Sequence, residues 1–313
     1  MNIPPFMDYK PLLTSFRSDY PDNTFYAIFG IYDKNGLIKG NGTFQDGFFW
    51  LRSLFKPVQA LLINKNIRDY FNFTEKELAI MQSSHAGEEY HIELIKSILN
   101  KIKLREEHLL CPEIAPLNTS KFKGKSRLHN NCSGKHCMIL SYCIYHNLDI
   151  TDYINVNHPA QIKIRENLIK LSETKDLILS TDGCLMPIYG MKLNNIAKMF
   201  LNLYKENSFL TEAYKNNPRI IGGRDDFSLR TDTKIMLLDK NLISKVGAGG
   251  FIYVYNILTE QILILKTAQN NNPEREILTL EILYRLNWLK ERFYKNEITL
   301  ENNKKIGEYR FNF

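Results

Sequence analysis

The sequence predicts an α+β fold in which one antiparallel sheet is built from both chain ends around a helical central region. Near the start, residues 25–32 read as a strand and residues 37–44 as its returning partner. Lys34-Asn35-Gly36 between them supplies an Asn-Gly pair that favours positive φ. Near the end, residues 242–245, 251–257 and 262–266 alternate or run apolar, with Leu258-Thr259-Glu260 as a connecting turn. Between these ends the apolar residues recur at helical spacing.

In chain order, an apolar run at residues 48–51 leads into Arg52-Ser53-Leu54-Phe55-Lys56-Pro57. Proline is tolerated in a helix only in its first turn, so a helix has to begin close to Ser53. Thr74 followed by Glu77 is a capping-box signature opening a short helix through Met81. Ser83-Ser84-His85-Ala86-Gly87 interrupts it, and residues 88–103 resume with Ile92, Ile95, Ile98, Leu99 and Ile102 on one face. A polar, proline-bearing loop over residues 111–131 precedes a helix opening near Lys135, with further helices around 160–171 and 195–204. Residues 177–179 read as a short strand running into Ser180-Thr181-Asp182-Gly183-Cys184. An amphipathic helix from Pro273 to about Lys290 precedes what reads as a polar tail. No repeat or linker divides the chain, so residues 1–313 are read as a single domain with a helical subregion at about 58–240.

With 313 residues, 44% of them hydrophobic, the chain is long enough to bury a sizeable core. It opens with no basic segment followed by an apolar run, and no stretch reaches membrane-spanning length. A cytoplasmic location with no membrane partner is therefore expected. Five cysteines, an odd number, argue for reduced thiols over a disulfide framework. The net charge of +7 comes from scattered lysines without aromatic interleaving or a nucleic-acid motif, so no nucleic-acid partner is expected.

Two constellations carry chemistry. Ser53 and Lys56 are three residues apart, so on a helical turn they face the same way, as a serine nucleophile and its lysine base would. The plainer alternative is a surface serine capping a helix beside a solvated lysine. At its reference pKa of about 10.4 a lysine is neutral for less than about one part in a thousand at pH 7. Burial or a second cation has to lower it, and Lys245 in Lys245-Val246-Gly247 is a candidate for that cation. The order S-x-x-K, a middle serine, then a late Lys-x-Gly recurs in serine β-lactamases and penicillin-binding proteins. Here it is met by Ser53 and Lys56, Ser84, and Lys245 with Gly247.

The second constellation is Asn131-Cys132-Ser133-Gly134-Lys135-His136 with Asp182-Gly183-Cys184. Two thiolates from separate loops plus one nitrogen make a metal site with an open position. His136 is the conventional nitrogen; holding Lys135 neutral at pH 7 costs about 4.6 kcal/mol, against roughly 10–16 kcal/mol from a structural zinc. The alternative is two buried free cysteines with Lys135 paired to Asp182. Cys137 and Cys143 read as core, Cys111 has no evident partner, and His91 reads as a structural histidine.

Together these segments resemble the L-asparaginase II family, a class of asparaginases with a serine β-lactamase-like fold. The resemblance is carried by Arg52-Ser53-Leu54-Phe55-Lys56-Pro57-Val58-Gln59-Ala60, by Ser84-His85-Ala86-Gly87-Glu88 with His91, and by residues 131–136. Asp182-Gly183-Cys184 with Pro187, Gly222-Gly223-Arg224, Asp232-Thr233 with Met236, and Ser244-Lys245-Val246-Gly247-Ala248 continue it. It implies two serine–lysine tandems, Ser53 with Lys56 and Ser84 with Lys245. It also implies a zinc ion held by Cys132, Lys135 and Cys184, with water completing the shell. The implied reaction is hydrolysis of the side-chain amide of L-asparagine to aspartate and ammonia through an acyl-enzyme on Ser53. Arg52, His136 and Asp182 are then candidates for orienting the substrate's charged α-groups. Another serine amidase on the same fold, or a catalytically eroded zinc-binding homologue, are the alternatives. The implied partner is a small-molecule substrate, and a homodimer is compatible with the sequence. The pattern departs at Thr14-Ser15-Phe16-Arg17-Ser18-Asp19, which lacks a histidine. It departs again at Gly247-Ala248-Gly249-Gly250, which lacks a carboxylate, and at Gln269-Asn270, where an Asp-Gly segment is expected.

Overall fold

The computed structural model describes residues 8–41, 47–116, 124–206, 208–223, 230–270 and 272–313. Its strands are β1 (Lys10–Arg17), β2 (Tyr20–Asp33), β3 (Gly36–Gly40), β4 (Phe48–Trp50), β5 (Ile178–Thr181), β6 (Pro187–Lys192), β7 (Leu242–Gly247), β8 (Phe251–Asn256), β9 (Gln261–Thr267), β10 (Glu297–Thr299) and β11 (Lys305–Phe311). The main sheet runs β10-β11-β1-β2-β9-β8-β7, with β3 hairpinned onto β2, and every pairing is antiparallel. It is an α+β arrangement with a sheet built from both chain ends. The central part of the chain supplies α1 (Lys56–Gln59), α2 (Lys65–Tyr70), α3 (Glu75–Met81), α4 (Glu89–Lys101), α5 (Ser133–Tyr145), α6 (Pro159–Ser172), α7 (Leu193–Lys205), α8 (Phe209–Asn216), α9 (Pro218–Gly222) and α10 (Thr231–Leu238). A small second sheet, β4-β6-β5, takes β4 from just before α1 and β5 and β6 from between α6 and α7, and α11 (Asn272–Arg285) lies between the main-sheet strands β9 and β10 in the chain.

The unbroken apolar runs of β8 and β9 follow from burial on both faces. Phe251, Tyr253, Tyr255, Ile262 and Ile264 pack with the central helices, whereas Ile252, Val254, Leu263 and Leu265 pack with Ile277, Leu278, Leu280, Ile282 and Leu283 of α11. With period-two side chains, one strand fills two cores at once. The sheet is therefore the middle of three layers, and β7 carries Lys245 at its edge.

The chain end differs from the polar tail that its composition suggests. Lys305–Phe311 is a strand paired to β1 in the register Leu13↔Phe311 through Arg17↔Gly307. Tyr309 and Phe311 pack against the α11-side core, and a Cβ at Gly307 would overlap the Phe16 carbonyl oxygen. Alternation was present in this segment but masked by its many charges. The helix α11 also stops earlier than about Lys290, because Asn287 turns left-handed at φ +56 and Trp288 N returns to Leu283 O at 2.9 Å. The expected strand at residues 37–44 is β3; residues 42–44 and Arg224 lie outside the described residues. Among the described residues no helix is long and apolar enough to cross a membrane.

Candidate active site

The Ser53 segment is a 3-10 turn, Arg52–Phe55, that runs directly into α1 with Pro57 in its first turn. Arg52 enters it at φ +46. Leu51 N is fixed to Tyr189 O of β6 at 3.0 Å. Leu54 and Phe55 are buried, and a Cβ on Gly247 would come to 3.0 Å from Leu54 Cγ. The Ser53 turn thus rests against the strand that carries Lys245. Ser53 itself is half-buried.

Lys56 does not bond to Ser53 among the described residues. Its Nζ donates to Ser83 O at 2.6 Å and Asn131 O at 2.8 Å, and lies 3.0 Å from Ser84 Oγ. A buried amine has to satisfy its donors, and two carbonyls plus a hydroxyl do so better than a single serine on a half-open turn. Lys245 Nζ approaches the same Ser84 Oγ, also at 3.0 Å. In place of the two expected tandems, Lys56, Ser84 and Lys245 form one hydrogen-bonded array, with Ser53 three residues before Lys56 in the sequence. Both lysines are 1% exposed or less. Burial lowers the pKa of each. For Lys56 the Cys132 sulfur partly opposes the fall. For Lys245 the Arg230 charge deepens it and Asp232 opposes it, leaving the amine well below its usual range.

The loop bearing Ser84 is pinned from several sides. Ser84 N donates to Ile221 O at 3.2 Å, and Arg230 donates from Nη1 to Ser84 O. Gly223 at φ +114 lies against Ala86, where a Cβ would approach to 2.9 Å, so the Gly-Gly pair permits the close approach. His85 Nδ1 accepts from Gly87 N at 3.2 Å, which makes Nε2 the protonated nitrogen facing Ser133 Oγ at 2.9 Å. Burial first, then the neighbouring His91 charge, hold His85 well below the usual imidazole range, so it is neutral.

The thiol cluster adjoins this array through Asn131. Cys132 and Cys184 are buried neighbours: the Cys132 thiol holds the Cys184 pKa down, while that contact and burial push Cys132 up, and Cys132 Sγ lies 3.4 Å from Asn131 Oδ1. Lys135 Nζ donates to Cys184 Sγ at 3.0 Å. Burial pulls on Lys135, but the two sulfurs more than offset it, and its pKa is raised. The helix α5 can deliver these groups because Gly134 is jammed against α3; a Cβ there would overlap the Ile80 carbonyl oxygen. His136 is fully buried, with Nδ1 on the Tyr153 hydroxyl at 2.7 Å and its ring also against the Cys184 sulfur, which opposes the lowering of its pKa by burial. Asp182 pairs with Arg52 at 2.7 Å rather than with Lys135, and this pair lines a cleft of about 170 Å³ with Trp50, Thr181 and Gly183. Among the described residues no three His, Cys, Asp or Glu side chains gather as a ligand set. Two nitrogen-bearing side chains lie beside Cys184, Lys135 through Nζ at 3.0 Å and the His136 ring.

Cys137 and Cys143 are buried core thiols, Cys111 donates weakly to Arg127 O at 3.6 Å, and none of the five cysteines is in a disulfide. His91 is also buried, its Nδ1 accepting from Glu88 N at 3.2 Å at the start of α4. The residue that sequence reasoning passed over is Arg230. Its signal was Arg230-Thr231-Asp232 at a helix start, a charge pair common on surfaces.

The L-asparaginase II family model matches residues 13–311. Two solved structures are similar to the chain. One is a β-lactamase from Mycobacterium bovis, at 11% identity and TM-score 0.43, covering 83% of this chain and 94% of that one. The other is a candidate β-lactamase from Bacteroides dorei, at 10% identity and TM-score 0.43, covering 82% of this chain and 92% of that one. No curated protein matches.

Proposed function

The chain belongs to the L-asparaginase II family, and on that footing we propose that it hydrolyses the side-chain amide of L-asparagine to L-aspartate and ammonia. The observation that carries the chemistry is the pair of buried lysines, each 3.0 Å from Ser84 Oγ. Lys56 faces three acceptors and suits an ammonium with three N–H groups; Lys245 has the more strongly lowered pKa and suits the neutral amine. Lys56 passes a proton through the Ser84 hydroxyl to Lys245 and becomes the base for Ser53. Ser53 Oγ then adds to the amide carbon. Collapse breaks the C–N bond, and Ser84 hands the Lys245 proton to the departing nitrogen. Water hydrolyses the Ser53 ester and restores the serine proton. The half-buried hydroxyl of Ser53 suits the attacking role, and the buried Ser84 suits the relay.

Arg52 and Asp182 are suited to the α-carboxylate and α-ammonium of the substrate, since each now neutralises the other at the cleft. His136, enclosed and bonded to Tyr153, is better suited to holding that wall than to touching substrate. Zinc fits the donor set, because two thiol sulfurs, the Lys135 amine and the His136 ring come together at Cys184. Cys132, Cys184 and Lys135 would hold it, and it would supply Lewis-acidic positive charge beside the relay.

Ammonia release from L-asparagine tests the reading. Ser53→Ala should lose on the order of 10³-fold or more. Normal turnover by Ser53→Ala would sink the mechanism. Labelling of Ser53 by a β-lactam without asparagine turnover would reassign the same machinery to another amide.

A further inference from the structure

Lys245 is buried beside a carboxylate, yet its hydrogen bond goes to a serine. Its Nζ lies 3.9 Å from Asp232 Oδ2, an ion-pair distance but not a hydrogen bond, and 3.0 Å from Ser84 Oγ. The reason lies in how Asp232 is occupied. Its Oδ1 accepts from Arg230 Nε at 2.8 Å and from Thr233 N at 2.9 Å. Its Oδ2 accepts from Arg230 Nη2 and from Val246 N, both at 3.0 Å. An ionised carboxylate has about four acceptor positions, and all four are taken. Two of them are taken by one planar guanidinium, in a fork that a lysine cannot reproduce.

We propose that Arg230 is a positioning residue: by engaging both carboxylate oxygens of Asp232 it denies them to Lys245 and so reserves the Lys245 amine for the Ser84 hydroxyl. The inference rests on the serine–lysine reading above and adds a residue to it. The same guanidinium also holds the Ser84 loop, donating to Ser84 O and, at 2.7 Å, to Ile221 O. One side chain thus fixes the relay hydroxyl and frees its base.

Among the described residues, few groups face Lys245. From the start of α10 come Arg230 and Asp232, from α1 Lys56, and from the turn before α5 the Cys132 thiol. Its cross-strand partner on β8 is Tyr253. Behind Asp232 stand Tyr214 of α8 and Arg275 of α11. Asp232 is the carboxylate in this set, so the part of any rise in the basicity of Lys245 that Asp232→Asn abolishes traces to it, and the part that persists traces to the displaced charge at position 230. Burial, Arg230 and Lys56 all favour the neutral amine, and the carboxylate opposes them.

The test follows the ¹³Cε resonance of Lys245 in the full-length protein, assigned by its loss in Lys245→Arg, as pH is varied. Arg230→Lys keeps the positive charge and removes the fork. The Lys245 midpoint should rise by roughly one pH unit or more as the freed carboxylate captures the amine. Adding Asp232→Asn to Arg230→Lys should cancel the rise. An unmoved midpoint in Arg230→Lys overturns the proposal, as does a rise that persists without the carboxylate. Should Arg230→Lys not fold, Asp232→Asn alone is the second variant: its midpoint should fall, and an unchanged or raised one overturns the proposal. The acid limb of kcat/KM for L-asparagine should move with the resonance. If the resonance moves as expected while no variant, nor the parent, turns over asparagine, the assigned substrate fails and the role of Arg230 stands.

Discussion

Replacing Lys245 by methionine should remove a pH dependence from the protein's stability. The Nζ atoms of Lys56 and Lys245 are each 3.0 Å from the same oxygen, and so at most about 6 Å apart. Two positive charges at that separation repel by about 3 kcal/mol at an effective dielectric constant of about 20. Burial, Arg230 and this repulsion together lower the Lys245 pKa in the fold, with Asp232 opposing. In the unfolded chain it returns to about 10.4. Between the lowered value and 10.4 the unfolded state binds a proton that the folded state does not. Stability therefore rises with pH across that window, by up to about 1.4 kcal/mol per unit. Below the lowered pKa the lysine is charged in both states and the full penalty applies; above 10.4 the penalty is gone. Methionine does not titrate, and relief of Lys56 from its neighbour acts in the same direction. The stability of Lys245→Met relative to the parent should thus be most favourable near neutrality and fall by on the order of 1 kcal/mol between pH 9 and pH 10. Urea unfolding of both proteins at matched pH values reads this difference, and tyrosines and Lys135 cancel in the subtraction. A difference that does not vary with pH, or that grows in the variant's favour as pH rises, refutes the two-lysine argument.

Three further outcomes follow from the same geometry. Gly134→Ala drives a methyl group into the Ile80 carbonyl, and should lower stability by about 1–3 kcal/mol in urea unfolding; unchanged stability would mean that α5 and α3 separate freely. Cys184→Ser removes the sulfur that Lys135 contacts, and zinc measured by metal analysis after dialysis should fall well below that of the parent; equal retention would place the metal elsewhere. Arg52→Ala removes the cation at the small cleft, and should raise KM for L-asparagine about 10-fold or more with a smaller change in kcat; a pure kcat loss would move Arg52 from binding to the reaction itself.

What the sequence made legible was what short-range chemistry decides. The capping box is one case: Thr74 Oγ1 accepts from Glu77 N at 3.3 Å and Glu77 Oε2 from Thr74 N at 2.7 Å, both within one turn. Lys245 beside Lys56 was also foreseeable, because the serine, the middle serine and the late Lys-x-Gly come in a telling order. The partners of Lys56 were not. Two of its three acceptors are the carbonyls of Ser83 and Asn131, and every residue type carries a carbonyl, so spacing pointed to Ser53 instead. The strand β11 was hidden for a related reason, since its pairing partner β1 lies almost the whole chain away.

The departures from the family pattern can now be weighed by position. Gly249, where the family carries a carboxylate, sits in the β7–β8 turn at φ +81, and no atom lies within 4 Å of the place a Cβ would occupy. Space does not exclude a larger residue there, but an acidic one would adopt a strained backbone. The missing histidine falls on β1 and the turn that follows it, where Ser15 Oγ accepts from Asn23 N at 3.0 Å across the strand pair. Neither departure removes a hydrogen bond from Lys56, Ser84, Lys245, Arg230 or Asp232. Those five are tied to one another by contacts drawn from α1, the Ser84 loop, β7 and the start of α10. Both positions therefore lie outside this hydrogen-bonded set, whereas a change at Arg230 reaches Ser84 and Asp232 together.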